Sequence, residues 1–280
     1  MRPHQYIKNC LIFLPLFFAS RITDTTLLFN AVIAFLAFSL IASAIYILND
    51  YLDMENDKQH PVKKNRPLAS GVITKPQAVT LMLLLVTAGF GLIASLSVST
   101  LIIVLTYVTM NVAYSFYLKH VAILDVAIIA IGFVLRLMVG STVTEIPLSI
   151  WIVIMTFLLA LFLALAKRRD DVLIYLDTGK KMRQIVDGYN LQFLDTAMAI
   201  MASVVIVAYI MYATSTEVTS RLHSEHLYLT TVFVVVGILR YLQIALVEKG
   251  SGSPTQIVLR DRYMQMTLIG WFATFAWLLY

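Results

Sequence analysis

The sequence predicts an all-α polytopic membrane bundle. Hydrophobic residues make up 60% of the 280 positions and charged residues only 13%, with a mean hydropathy of +0.83. Soluble domains carry roughly twice that share of charge, and their cores cannot absorb so much apolar surface. The apolar runs are long and continuous, without the two-residue alternation of a membrane barrel strand. Only helices and closed barrels satisfy their backbone polar groups in lipid, and the barrel pattern is absent, so the membrane-spanning segments are predicted to be helices.

Nine apolar runs approach or reach the length that crosses a bilayer, about 20 residues of helix. The first run is short, amphipathic at its start and interrupted by Pro15, and no small-x-small cleavage site follows, so we expect no cleavable signal peptide. No repeat or low-complexity tract divides the chain, which predicts one domain over residues 1–280. The runs are Tyr6–Ser20, Leu27–Leu48, Pro76–Ser95, Ser97–Tyr117, Val121–Val143, Leu148–Ala166, Leu191–Tyr212, Leu227–Val247 and Met264–Tyr280.

Positive charge divides the joins between these runs into two sets. Cytoplasmic loops are the ones rich in Lys and Arg, so the N-terminus is predicted inside, and nine crossings place Tyr280 outside. The opposite set contains only Arg21 and Arg221 as cations, and the single Cys10 excludes an intramolecular disulfide. The lipid bilayer is therefore the expected environment, with no nucleic-acid partner. The cytoplasmic cations are Arg2, Lys8, Lys58, Lys63, Lys64, Arg66, Lys75, Lys119, those from Lys167 to Arg183, Lys249, Arg260 and Arg262.

An acidic motif follows the second run. Asn49, Asp53 and Asp57 are four residues apart, which places them on one helical face, and Asp50 lies beside them. Three carboxylates this close repel one another and require a cation. Oxygen ligands in this number suit Mg²⁺, which takes a few carboxylates together with substrate phosphate oxygens. The alternative is a solvated acidic helix end at the membrane surface.

Basic residues follow the acidic motif directly. Arg66 precedes the sequence Pro67-Leu68-Ala69-Ser70-Gly71, and an arginine here is suited to bind phosphate oxygens in a bidentate manner. Lys63 and Lys64 have an equally good explanation as ordinary cytoplasmic loop charge. The acidic and basic residues together predict a metal-diphosphate site at the cytoplasmic face.

The pattern N-D-x-x-D-x-x-x-D followed by R-P-L-x-x-G, on a chain with nine apolar runs, resembles the UbiA superfamily of membrane prenyltransferases. The resemblance covers essentially the whole chain. It implies one UbiA-like domain, a helical bundle around a central cavity open to the cytoplasmic side, and catalytic Asp50, Asp53 and Asp57. It also implies that these aspartates and Asn49 hold Mg²⁺ against a diphosphate.

Two stretches depart from the family pattern. Members usually carry a second aspartate-rich motif after the sixth helix, whereas this chain reads Lys167-Arg168-Arg169-Asp170-Asp171 there. A tyrosine and lysine pair usually follows the fourth helix, and here one extra residue separates Tyr114 from Lys119. The role of Tyr114 therefore stays open.

Arg136 lies in the middle of an apolar run. A charge at the centre of a membrane helix costs about 2.5 to 3.5 kcal/mol on insertion scales, so it is a functional candidate that faces the bundle interior. A structural role is the alternative, although Asp125 is eleven residues away and too distant for direct pairing. Arg240 and Lys167 lie nearer the ends of their runs, where long side chains reach the interface easily.

The number of cations suggests two anionic substrates. The chain resembles one branch of the family in four places. They are the opening Arg2-Pro3-His4-Gln5-Tyr6-Ile7-Lys8-Asn9, the Leu118-Lys119-His120-Val121 turn into Asp125, the Ala166-Lys167-Arg168-Arg169 run, and Arg240-Tyr241 with Asp261-Arg262. The branch is the decaprenyl-phosphate phosphoribosyltransferases, also called decaprenylphosphoryl-5-phosphoribose synthases. That resemblance implies phosphoribosyl pyrophosphate as donor, a polyprenyl phosphate as acceptor, and a bacterial inner (plasma) membrane. The predicted substrate-binding residues are Lys8, Arg66, Tyr114, Lys119, Arg136, Lys167, Arg168, Asp170, Asp171, Arg240 and Arg262.

The predicted reaction displaces pyrophosphate from C1 of the ribose. A phosphate monoester is already anionic at neutral pH, so no general base is needed, and the sequence shows no convincing Ser-His arrangement. Alternatives are an aromatic prenyltransferase with a polyprenyl diphosphate donor and a quinone or haem precursor acceptor, a transporter or lipid flippase, and a scaffold protein. A transporter usually has two matching halves, which are not visible here. The oligomeric state, including a homo-oligomer, stays open.

Overall fold

The structure, a computed structural model, describes residues 3–58, 63–179, 184–222, 224–248, 250 and 254–279. Every regular element in these ranges is helical, which confirms the predicted all-α class. The α-helices are α1 (Leu14–Phe18), α2 (Thr25–Leu52), α3 (Met54–Lys58), α4 (Lys75–Ala94), α5 (Val98–Phe116), α6 (Leu124–Thr144), α7 (Ile150–Thr178), α8 (Leu191–Thr214), α9 (Thr216–Leu222), α10 (Thr231–Leu246), α11 (Pro254–Arg260) and α12 (Arg262–Leu279). The 3₁₀ helices are Pro3–Phe13, Lys63–Asn65, Leu118–His120, Gln184–Gly188 and Leu227–Thr230.

Seven helical stretches within the described residues are long and apolar enough to cross a membrane. They are α2, α4 to α8, and the stretch Leu227–Leu246 that contains α10, and they coincide with seven of the nine predicted runs. The first predicted run corresponds to a shorter apolar helix, Gln5–Phe18. The last corresponds to α12, whose first turn carries the polar residues Arg262 and Gln265. The chain is thus an integral membrane protein of several apolar helices.

Helix α7 is longer than its apolar run predicts. The run ends at Ala166, but the helix continues through the charged sequence to Thr178 and ends at Gly179, which has the left-handed φ of 66° that glycine adopts without a steric cost. An ion pair between Arg168 and Asp171, three residues apart, supports the extension. Hydropathy identifies only the part of a helix in lipid, so the polar extension was missed.

The chain forms two compact units, residues 1–128 with 132–148 and residues 129–131 with 149–280. In the first unit, α2 packs against α4 and α5, and its inner face is lined by small and apolar residues such as Ala37 and Ile41. Gly89 of α4 allows close approach, because a Cβ there would lie 2.5 Å from a side-chain carbon of Ile41. This packing makes the cytoplasmic end of α2, which carries the acidic motif, part of a rigid element.

In the second unit, α8 packs against α7 and α10, and α10 packs against α12. A buried polar network joins three of its elements. The hydroxyl of Tyr209 hydrogen-bonds the Thr230 hydroxyl at 2.6 Å and accepts from Nε1 of Trp271 at 2.7 Å. Satisfied polar networks of this kind select one packing arrangement over others.

Candidate active site

The acidic motif spans the end of α2 and the start of α3. Asp53 interrupts the helix for one residue, yet hydrogen bonds of four-residue spacing continue through it. The Asp53 amide donates to the Asn49 carbonyl at 2.9 Å, and the Asp57 amide donates to the Asp53 carbonyl at 2.8 Å. Asn49, Asp53 and Asp57 therefore keep the shared face that their spacing predicts.

Arg66 joins two carboxylates of the motif. Its Nη1 donates to Oδ1 of Asp50 at 3.0 Å and to Oδ2 of Asp57 at 2.6 Å. Asp57 is only 3% exposed, and a buried carboxylate is costly unless it is paired. The loop that carries Arg66 is anchored by Leu68, which is buried against Met54. The predicted phosphate-binding arginine thus lies directly on the acidic motif.

Lys119 contacts the third carboxylate. It belongs to the 3₁₀ turn Leu118–His120 after α5, and its Nζ donates to Oδ1 of Asp53 at 2.6 Å. The chain then turns into α6 through Ile123, whose φ of 69° is rare for a β-branched residue. Asp125, in the first turn of α6, is completely buried. Strained backbone of this kind persists where surrounding contacts over-determine it, as at binding sites.

Lys8 and Tyr114, the other two predicted contacts on the N-terminal side of Arg136, are both half-buried in the first unit. Lys8 belongs to the 3₁₀ helix Pro3–Phe13, and Tyr114 lies on α5, five residues before Lys119.

Arg136 is 5% exposed and has a protein partner at each guanidinium nitrogen. Nε donates to Oδ1 of Asn9 at 2.8 Å, Nη1 to the Gly132 carbonyl at 2.6 Å, and Nη2 to the Tyr107 hydroxyl at 3.0 Å. The guanidinium carbon lies 5.0 Å from the ring centroids of both Phe38 and Tyr107. Hydrogen bonds and aromatic faces together offset the cost of burying this charge.

The charged part of α7 lies in the second unit. Arg168 is 1% exposed and donates to Oδ2 of Asp171 at 2.6 Å. The neighbouring Arg169 donates to Oδ1 of Asp195 at 2.5 Å and to the Ala245 carbonyl at 2.7 Å, which ties α7 to α8 and α10. Lys167 is exposed and Asp170 is half-buried. Arg168 is therefore paired within α7, whereas Arg169 joins α7 to its neighbours.

Arg240 lies at the centre of a second ion-pair group in the same unit. Its Nη2 donates to Oδ2 of Asp261 at 2.6 Å, and its Nη1 donates to Oε1 of Glu248 at 2.7 Å. The Arg240 guanidinium holds the pKa of the Asp261 carboxyl below its usual range, helped by the backbone hydrogen bond from Met264. The next residue, Arg262, is exposed.

Residues 10–278 match the UbiA prenyltransferase family. The chain belongs to this family. The decaprenyl-phosphate phosphoribosyltransferase of Mycolicibacterium smegmatis is 31% identical over 98% of this chain and 89% of that protein. The decaprenyl-phosphate phosphoribosyltransferase of Corynebacterium glutamicum is 31% identical over 97% of this chain and 82% of that protein. A UbiA homologue from Archaeoglobus fulgidus, solved bound to DMAPP and Mg²⁺, has the same fold, with a TM-score of 0.74, 16% identity, and coverage of 99% and 96% of the two chains.

The donor set of this UbiA family member fits a divalent metal. Within the described ranges, no three acidic, histidine or cysteine side chains are grouped closely enough to cage an ion by themselves. A full cage is not required, because Mg²⁺ commonly takes one or two carboxylates and completes its shell with substrate phosphates and water. The Oδ1 atom of Asn49 is buried and has no hydrogen-bond partner among the described residues. An unpartnered amide oxygen on the carboxylate face is a suitable hard ligand.

Sequence reasoning missed the partners of the buried cations in this UbiA chain. Asn9 and Tyr107 accept hydrogen bonds from Arg136, and Asp195 accepts one from Arg169. All three partners lie in other elements than the arginine they contact. The one available indication was the spacing of Tyr6 and Asn9, three residues apart in a segment that also carries Lys8. That spacing puts the two side chains on one face of either a 3₁₀ helix or an α-helix.

Proposed function

We propose that this UbiA-type membrane transferase moves the 5-phosphoribosyl group from phosphoribosyl pyrophosphate to a polyprenyl phosphate and releases pyrophosphate. The observation that carries the proposal is the 31% identity, over nearly the whole chain, to proteins named decaprenyl-phosphate phosphoribosyltransferase. The acidic motif with Arg66 and Lys119 is chemically suited to it, because carboxylates for a metal and cations for phosphates lie together.

Asn49, Asp50, Asp53 and Asp57 would hold Mg²⁺ in this proposal. When bound, the ion neutralises charge on the pyrophosphate leaving group and fixes its direction. Asn49, Asp53 and Asp57 supply oxygen ligands from one helical face, with Asp50 beside it, and the α2 packing supports that face. The three aspartates are the residues on which catalysis depends.

Arg66, Lys119 and Lys8 would bind phosphate oxygens, with Tyr114 beside them on α5. Side-chain cations that bind the phosphates of both substrates would bring an oxygen of the lipid phosphate to attack distance from C1 of the ribose. This proximity effect contributes several kcal/mol in good cases. The new C1–O bond forms as the C1–O bond to pyrophosphate breaks. The nucleophile is already ionised, so no side chain has to accept a proton.

The second unit contributes further candidates. Lys167 and Arg262 have exposed side chains, so we propose these first as phosphate contacts. Asp170 is half-buried and lies three residues after Lys167 on α7. Arg168 with Asp171, inside α7, and Arg240 with Asp261, at the start of α12, would stabilise the helices that carry Lys167 and Arg262.

We propose nine crossings, with the Gln5–Phe18 segment as the first and α12 as the last. The Lys- and Arg-rich loops support an N-terminus and an active site inside and a C-terminus outside. The bundle would enclose a cavity open to the cytoplasm in the plasma membrane of a bacterium.

One experiment tests this function against its rivals. Purified protein is incubated with Mg²⁺, phosphoribosyl pyrophosphate labelled in the ribose, and a polyprenyl phosphate, and the label is then sought in the organic phase. Lipid-borne label that requires all three components is expected, and Asp53→Asn should lose it. Turnover of a prenyl diphosphate with an aromatic acid, and no labelled lipid at any chain length, would establish the aromatic prenyltransferase instead. If the protein binds these substrates but turns over neither the phosphoribosyl pair nor the prenyl diphosphate and aromatic acid, a transporter would be favoured.

A further inference from the structure

The N-terminal segment is an unusual element. Pro3–Phe13 is an 11-residue 3₁₀ helix, whereas 3₁₀ helices rarely exceed three or four residues because their hydrogen bonds are poorly aligned. A helix of this length must therefore be held by contacts outside itself. Tyr6, Asn9 and Ile12 lie on one face of it, since three residues make one 3₁₀ turn.

The axial distance between residues on this face matches the distance between residues four apart on α2. The Tyr6 hydroxyl hydrogen-bonds the Ser43 hydroxyl at 2.9 Å, and Nδ2 of Asn9 donates to the Ser39 hydroxyl at 2.8 Å. Three residues of 3₁₀ helix rise about 6 Å, and four residues of α-helix also rise about 6 Å. An α-helical N-terminal segment would advance only about 4.5 Å over the same three residues and lose this register.

The third residue of the face is seated on α6. Ile12 is completely buried, and a Cβ placed on Gly140 would lie only 2.2 Å from the Ile12 carbonyl oxygen. One helical turn earlier on α6, Arg136 reaches Oδ1 of Asn9 with its Nε. Asn9 is 2% exposed and uses both ends of its amide, donating to Ser39 and accepting from Arg136.

Three of the five guanidinium N–H groups of Arg136 donate to protein oxygens, and the residue is only 5% exposed. Each of its three nitrogens donates to a protein oxygen, and aromatic rings cover its faces. The three protein acceptors fix the plane and direction of the guanidinium, and its burial leaves little surface for a substrate phosphate. The planar guanidinium with fixed donor directions suits a joint between three elements better than a mobile phosphate contact.

We propose that Arg136 is a positioning residue: it clamps the N-terminal 3₁₀ helix onto α2, α5 and α6 through Asn9, and so places Lys8 for the phosphate of the lipid acceptor. The sequence predicted a substrate contact at Arg136, and the positioning role replaces that contact. Lys8 directly precedes Asn9, so fixing Asn9 fixes the backbone from which Lys8 projects. The role of Lys8 rests on the proposed function, but the clamp itself does not.

The single cysteine provides a direct readout of the clamp. Cys10 is exposed and adjoins Asn9, so a nitroxide attached there reports the mobility of the N-terminal helix without other changes to the chain. In lipid nanodiscs, the spectrum should be immobile in the parent protein and mobile in Arg136→Gln and Asn9→Ala. Tyr107→Phe removes one hydrogen bond, keeps the ring, and should give a smaller change. Thr142→Val is the matched control, because Thr142 lies on α6 and hydrogen-bonds Thr100.

Kinetics test whether the clamp acts through Lys8. Arg136→Gln should raise KM for the polyprenyl phosphate by about 10- to 100-fold, the loss of a hydrogen bond to a charged group, and leave KM for phosphoribosyl pyrophosphate nearly unchanged. Lys8→Gln should give the same kinetic change with an immobile Cys10 nitroxide. The double variant should be no worse than either single variant, because both act on one contact.

Three results would overturn the proposal. An immobile nitroxide in a folded Arg136→Gln protein that has lost activity would mean that Arg136 touches substrate. Additive effects of Arg136→Gln and Lys8→Gln would mean the same. A mobile helix with unchanged kinetics would show that docking does not serve the site. If Arg136→Gln does not fold, Asn9→Ala and Tyr107→Phe carry both measurements. Absence of transfer in the parent protein would refute the proposed function, while the nitroxide spectra would still test the clamp.

Discussion

The Nη1 atom of Arg66 lies 2.6 Å from Oδ2 of Asp57, and this ion pair joins the loop after α3 to the buried end of the acidic motif. The same nitrogen also contacts Asp50 at 3.0 Å. One arginine therefore countercharges two carboxylates that would otherwise repel each other. Together with Lys119, which pairs with Asp53, this explains how three aspartates within eight positions of the chain are accommodated at a helix end.

Substitution of Arg66 should affect the donor substrate. We expect Arg66→Gln to lower kcat/KM for phosphoribosyl pyrophosphate about 10- to 100-fold, because charge-assisted hydrogen bonds are lost. Arg66→Lys should recover only part of this, since an ammonium keeps the positive charge but lacks the planar pair of donors that binds a phosphate in a bidentate manner. Steady-state kinetics in nanodiscs measure both. Lys58→Gln is the control, because Lys58 is exposed and pairs with Glu55. Equal activity of Arg66→Gln and Lys58→Gln would contradict the role.

Asp53 and Lys119 should act as a unit. Asp53→Asn is expected to reduce transfer on the order of 100-fold or more while the protein stays folded in detergent, because charge stabilisation at the leaving group is lost. Lys119→Gln should also lower the rate, and the double variant should lose less than the sum of the two, as expected for residues in contact at 2.6 Å. Single-turnover rates of the parent, the two single variants and the double variant complete this double-mutant cycle. Glu55→Gln, in the same segment but exposed, serves as the control, and full activity in Asp53→Asn would end the metal hypothesis.

Substitution of Asn49 should affect thermal stability and metal affinity in opposite directions. Its buried Oδ1 has no partner in the described part of the chain, so Asn49→Leu removes an unsatisfied polar atom and should leave thermal stability unchanged or raise it. The same change removes an oxygen ligand, so the half-saturating concentration of Mg²⁺ should increase. Thermal unfolding and Mn²⁺ titration followed by electron paramagnetic resonance measure the two effects separately. A destabilised protein with unchanged Mn²⁺ affinity would show that Asn49 has only a packing role.

Acid should weaken the ion pair at the start of α12. Arg240 lowers the pKa of Asp261 below its unfolded value of about 3.9, so the stabilisation is fully present above that value. It is lost as pH falls through the lower folded pKa, where the carboxylate is protonated. Asp261→Asn should therefore reduce Tm at neutral pH, and the difference from the parent should shrink in acid. Glu225→Gln, at an exposed position, should show no such pH dependence, and a constant difference for Asp261→Asn would contradict the assignment.

Hydropathy predicted the helices well where lipid contact is the dominant constraint. Seven predicted runs match seven apolar helices in the described chain. Hydropathy failed at α7, where the predicted run stops at Ala166 but the helix continues through charged residues to Thr178. Ion pairs and a glycine cap, rather than lipid, decide where that helix ends. The 3₁₀ form of Pro3–Phe13 was also not predicted, since it depends on register against α2.

The acidic motif was evident from local spacing, because residues four apart share a helical face whatever surrounds them. Which cation meets which carboxylate is not a local property. Arg66 lies nine residues after Asp57, and Lys119 lies 66 residues after Asp53, so these pairings exist only once the loop after α3 and the end of α5 are folded onto α2. The difference between Arg136 as a ligand contact and as a clamp likewise depends on Asn9, 127 residues away.

The amino-acid sequence by itself determined that this chain is a helical membrane protein with a carboxylate stripe at one end of its second apolar run, since composition and helical periodicity act over a few turns. The folded chain alone decided which cations countercharge that stripe and which are enclosed by polar and aromatic partners. Burial makes a charge costly, and the groups that offset this cost come from segments distant in the sequence.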